Sequence, residues 1–72
     1  MNPPEDPLAM AERHVRECEQ RVARQLLIIE EMDRDNHRDA TMARKLLVAL
    51  ETTLDLMREH LRLKREAQDL NT

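Results

Sequence analysis

Residues 33–39 read Asp33-Arg34-Asp35-Asn36-His37-Arg38-Asp39, a run of polar side chains in a 72-residue chain that contains no glycine and no aromatic residue. On both sides of it apolar residues recur at alternating spacings of three and four. Those spacings mark one face of a long helix. The polar run, with Asn36 able to take a left-handed conformation, therefore reads as the turn between two helices.

Upstream, the seam runs Leu8, Ala11, Val15, Cys18, Val22, Gln25, Ile29, Met32, with Gln25 its only polar member. Downstream it runs Ala40, Ala43, Leu47, Leu50, Leu54, Met57, Leu61 and then Lys64. The pattern predicts a helix over 8–34, a turn over 35–39 and a helix over 40–66. Residues 1–7, with Pro3, Pro4 and Pro7, read as a disordered lead-in, and 67–72 as a fraying tail. Pro7 suits a first helical turn, where its missing N–H costs nothing, and Asp6 can cap it. Asp39 is the expected cap of the second helix, with Thr41 as the alternative.

The two seams can zip together antiparallel. Val15 with Met57, Cys18 with Leu54, Val22 with Leu50, Gln25 with Leu47, Ile29 with Ala43 and Met32 with Ala40 all sum to 72. Half of that number is Asn36, where the polar run independently places the turn. The expected core within one hairpin is thus Val15, Cys18, Val22, Ile29, Met32, Leu47, Leu50, Leu54, Met57 and Leu61. In this register Glu12 falls near Arg58 and Glu5 near Arg65, whereas Glu19 faces Glu51. The seam position of Gln25 admits two readings: a side chain reaching out to solvent, or a polar pin of the alignment.

The second helix carries more apolar surface than one seam uses. Leu46, Ala49, Thr53, Leu56, His60, Leu63, Ala67 and Leu70 form another three-four ladder, and Ile28 of the first helix lies on the same side. Contiguous exposed apolar surface marks interaction sites. The expected fold is therefore an all-α, coiled-coil-like antiparallel two-helix hairpin that dimerises into a four-helix bundle with the second helices central. A heterologous partner helix would satisfy the same ladder. So small a chain buries little by itself, and a partner subunit is a common remedy.

Other function classes find little support. Twelve basic and fifteen acidic residues are interspersed, with a net charge of −3, which solvates helix surfaces and makes no basic stripe for nucleic acid. No stretch reaches the roughly 18 apolar residues of a membrane span, and no signal peptide is evident. The single cysteine fits a reducing compartment, so a cytoplasmic protein is expected. Without glycine there is no phosphate-cradling loop. Asp33, Asp35 and Asp39 lack the glycine and terminal glutamate of a calcium loop. His14, Cys18 and His60 could converge on a metal such as zinc, but no fourth ligand is evident, and Cys18 at a seam position reads as a small core residue. His37 reads as a solvated turn residue, and Met32 and Met57 as core. No catalytic residue and no cofactor are expected.

The stretch from Arg13 to Arg65 resembles a group of short, uncharacterised alphaproteobacterial helical-hairpin proteins. The likeness rests on Glu19-x-x-Val22-Ala23-Arg24-Gln25, on Arg34-Asp35-Asn36-His37 leading to Thr41-Met42-Ala43-Arg44-Lys45-Leu46-Leu47, and on Glu51-x-x-Leu54. Members tend to have glycine where this chain has Asn36 and an aromatic residue where it has Leu50. The resemblance implies the hairpin and adds no chemistry, since the group has no assigned activity. The functional expectation is a non-enzymatic structural or protein-interaction module that self-associates. The alternative is a small regulatory protein, antitoxin-like or sequestering, whose ladder docks another protein's helix.

Overall fold

Asp6 opens the first helix. Its Oδ1 accepts a hydrogen bond from the Leu8 amide at 3.3 Å, and its carbonyl accepts the Met10 amide at 2.8 Å. In this computed structural model the chain forms two α-helices, α1 over Pro7–Asp35 and α2 over Thr41–Leu70. The structure describes residues 6–35 and 40–70. Residues 1–5 of the expected lead-in, with Glu5, lie outside the described residues, as do Asn36, His37, Arg38 and Asp39 of the turn.

All four helix ends differ from expectation. Pro7 is already helical and so is Asp35, each one residue beyond the expected bound. The Arg44 amide donates to the Ala40 carbonyl at 2.9 Å, so Ala40 holds the cap position of α2 and Thr41 is its first helical residue. Ala40 is only 2% exposed, and its methyl closes the seam where α2 starts. At the other end α2 runs on to Leu70, so residues 67–70 of the expected tail are helical, while 71–72 lie outside the described residues. Arg62 bridges the last turns by pairing with both Glu59 and Glu66, and Ala67 and Gln68 have good helix propensity.

The helices pack along the two seams. Ala11, Val15, Cys18, Leu54 and Leu61 form a buried cluster, with Leu8, Val22 and Met57 against it. Ile29, Ala40 and Gln25 are buried nearer the turn, and Met32, Ala43, Leu47, Leu50 and Lys64 are half-buried. The longest dimension is 55 Å, which excludes one continuous helix, since about 60 helical residues would span about 90 Å. The radius of gyration, 16.6 Å, exceeds the roughly 11 Å of a compact chain of this length.

Three kinds of contact lock the hairpin. Gln25 is 7% exposed, and its Nε2 donates to the Ala43 carbonyl at 2.9 Å. It thus turns inward rather than out to solvent, and alanine at 43 leaves room for the amide to reach backbone. The Cys18 thiol points to the Leu50 carbonyl at 3.8 Å. Arg58 pairs with Glu19 at 3.2 Å and Arg44 with Asp33 at 2.8 Å. These ion pairs correct the flank expected from simple register, in which Glu19 met Glu51 and Glu12 met Arg58. Side chains lean toward the N-terminus of their own helix. In an antiparallel pair, long side chains therefore meet when each starts two to three residues beyond the meeting point. Both pairs sum to 77 rather than to 72 or less, as that lean requires.

Candidate functional site

The two flanks of the hairpin differ chemically. One carries the ion pairs Arg44–Asp33 and Arg58–Glu19. The other carries Ile28 and Leu46 toward the turn and His14 and His60 toward the open end, and it continues into the apolar ladder of α2. Along that ladder Leu46 is 51% exposed, Leu56 67%, Leu63 50% and Leu70 86%. Ala49, Thr53, His60 and Ala67 are exposed as well, and Ile28 is at the margin of exposure. None of these side chains belongs to the core, because one seam is all that α1 can cover.

The ladder is more apolar than its composition indicates. The Thr53 hydroxyl, one of its two polar interruptions, donates to the Ala49 carbonyl at 3.0 Å, so its proton is already satisfied within the helix. The ladder is also one turn longer than the sequence reading placed it. Met42, exposed at 73%, stands four residues before Leu46 and on the same face. The signal was present in the 42-46-49 spacing, but Met42 was passed over beside the seam residues Ala40 and Ala43. Leu26, Leu27 and Val48 are also exposed but lie off the ladder.

His14 and His60 line one open groove with Pro7, Met10, Ala11 and Lys64. Cys18 does not join them: it is 1% exposed and turned into the core. Among the described residues no group of three or more His, Cys, Asp or Glu side chains is placed to hold a metal ion. The outer face of α2 is charged. The Arg62 guanidinium hydrogen-bonds Glu59 and, at 2.6 Å, Glu66. Its hydrogen bond holds the Glu59 carboxyl below the ordinary glutamate range. On α1 Arg13 pairs with Glu17 at 2.8 Å. Among the described residues no helix is long and apolar enough to cross a membrane.

The chain matches no family model, no curated protein and no solved structure. What it can do must be argued from the ladder itself.

Proposed function

We propose that this protein is a non-enzymatic interaction module that self-associates through the ladder on α2, with Ile28 at its edge. The observation that carries the reading is the ladder: apolar side chains at regular three-four spacing from Met42 to Leu70, exposed beside a seam that is already filled. Scattered surface leucines are common, but a regular helical stripe is the form in which one helix offers itself to another. The ladder is centred about 100° around α2 from the seam, given 3.6 residues per turn. That is close to the right angle between the two neighbours of a helix in a four-helix bundle.

The test is Leu56→Glu with Leu63→Glu, read by light-scattering mass. A two-fold dimer buries four such leucines; with Leu56 67% and Leu63 50% exposed beforehand, they contribute about 3.5–7 kcal/mol together. About 4.1 kcal/mol separates a micromolar from a millimolar dissociation constant, so the variant is expected to run as a monomer where the parent is a dimer. Leu27→Glu with Val48→Glu is the control, since it makes the same chemical change off the ladder and should keep the parent's mass. A ladder variant that retains both mass and melting temperature overturns the proposal. A parent that is a monomer even when concentrated would move the reading to a heterologous helix.

A further inference from the structure

We infer that the partner covering the ladder is a second copy of this chain, its α2 antiparallel to the first in a single register. In that register Leu46 meets Leu63 of the other copy, Ala49 meets His60, Thr53 meets Leu56 and Met42 meets Ala67. The two-fold axis passes between Leu54 and Asp55. The inference rests on the self-association reading above and goes beyond it by fixing the direction and register in which the two copies meet.

Surface area argues for a partner of this size. The chain exposes 6015 Å². A compact monomer of its 8.5 kDa would expose about 4,700 Å². The excess, about 1,300 Å², is larger than the roughly 800 Å² that each partner contributes to a standard interface.

Self-complementarity argues for a second copy and for this alignment. A parallel pair would stack Thr53 on Thr53 and His60 on His60, so both polar interruptions would face themselves. Antiparallel pairing sets each against an apolar residue. Among antiparallel alignments the partner numbers must sum to a constant, and neighbouring choices differ by seven. The sum 109 described above pairs every ladder residue except Leu70. The sum 102 leaves Leu63, Ala67 and Leu70 uncovered. The sum 116 leaves Met42 uncovered and brings Glu59 against its own copy at the axis.

Charge favours the sum 109 over the sum 116, whereas the sum 102 would also set Lys45 against an acid, Glu59, and is separated by the ladder residues it leaves uncovered. The residues just before Leu46, Thr53, His60 and Ala67 are Lys45, Thr52, Glu59 and Glu66. Within the hairpin, residues in the corresponding position meet at two above the seam sum: His14 and His60 total 74 against 72, and they share one groove. By the same offset the sum 109 places Lys45 opposite Glu66 of the other copy, twice, and Thr52 opposite Glu59. Lys45 and Glu66 are both exposed, and Arg62 already orients the Glu66 carboxylate at 2.6 Å.

Disulfide trapping tests the register in a Cys18→Ala background. Leu46→Cys with Leu63→Cys should give a covalent dimer on mild oxidation at least about tenfold faster than Leu46→Cys with Leu70→Cys, or Leu46→Cys with Leu56→Cys, because bridged Cα atoms must lie within about 7 Å. Positions 46 and 63 of one helix are about 25 Å apart, so the bond cannot form within a chain. If the parent is a dimer and a shifted pair bridges as fast, or no pair bridges, the register is wrong and self-association survives. If the parent is a monomer, self-association itself fails. Charge exchange at exposed positions gives a second measure that does not depend on folding of the cysteine variants. Lys45→Glu and Glu66→Lys should each weaken dimerisation several-fold, and together they should restore it. A double variant weaker than either single one overturns the alignment.

Discussion

Gln25→Leu should make the protein more stable, although it removes a buried hydrogen bond. The Gln25 amide is 7% exposed and donates to the Ala43 carbonyl at 2.9 Å. That oxygen also accepts within α2, as helical geometry requires, so removing the amide orphans no backbone group. A hydrogen bond of this kind contributes about 0.5–1.5 kcal/mol net. Leucine has nearly the same volume, and burying it contributes about 1.5–3 kcal/mol. The balance favours the variant by about 1 kcal/mol. For a domain of 60–100 residues that is about 4–8 °C in melting temperature. Gln25→Ala loses the bond and leaves a gap in the seam, so it should melt below the parent. Far-UV circular dichroism at one fixed protein concentration reads all three, because association makes melting concentration-dependent. If Gln25→Leu melts at or below the parent, the amide contributes more than a replaceable hydrogen bond, and the seam is more selective at this position than hydrophobic burial explains.

In a Cys18→Ala background, Val22→Cys with Leu50→Cys should oxidise readily within one chain, and Val22→Cys with Met57→Cys should not; efficient bridging of the second pair alone would displace the hairpin register. The Cys18 thiol, 1% exposed, should react slowly with a water-soluble reagent in the native protein and quickly once unfolded, and equal rates would take it out of the seam. Arg62 lowers the folded-state pKa of Glu59, so the stabilisation that this pair gives is present at neutral pH and lost as pH falls through that lowered value. Carboxyl-carbon NMR should find Glu59 titrating below the ordinary glutamate range and returning to it in Arg62→Gln; a midpoint unchanged by the substitution would remove the cause assigned here.

Much of the hairpin was legible because helical periodicity is a property of spacing alone. The positions from Leu8 to Met32 and from Ala40 to Leu61 alternate by threes and fours, and a polar run lies at the midpoint their pairing demands. What spacing does not carry is the direction in which side chains lean, and so Glu19 was matched to Glu51 while the structure gives it Arg58. The start of α2 differs by one residue because Ala40 belongs to the apolar seam and so counts as helical in the spacing, whereas the structure buries it at the position before the first helical residue, Thr41. The last turns of α2 carry the pairing of Arg62 with Glu59 and Glu66, a local support of helix that an apolar pattern does not register. Gln25 was open between two readings because both keep the residue at the same seam position; only the position of the Ala43 carbonyl distinguishes them. The ladder was readable for the same reason as the seams, apart from Met42 at its start.

The ion pairs Arg44–Asp33 and Arg58–Glu19 stand on one edge of the hairpin, and the apolar ladder begins at the other. Solvent conditions therefore address the two edges separately. Moderate salt screens Arg44–Asp33 and Arg58–Glu19, which are half-exposed and lie within reach of mobile ions. Excluded salts such as sulfate strengthen the burial of the leucines instead. Ionic composition thus acts unequally on the two edges: screening removes a small contribution from the exposed ion pairs at one, while excluded salts favour burial both in the apolar seam and on the outer face.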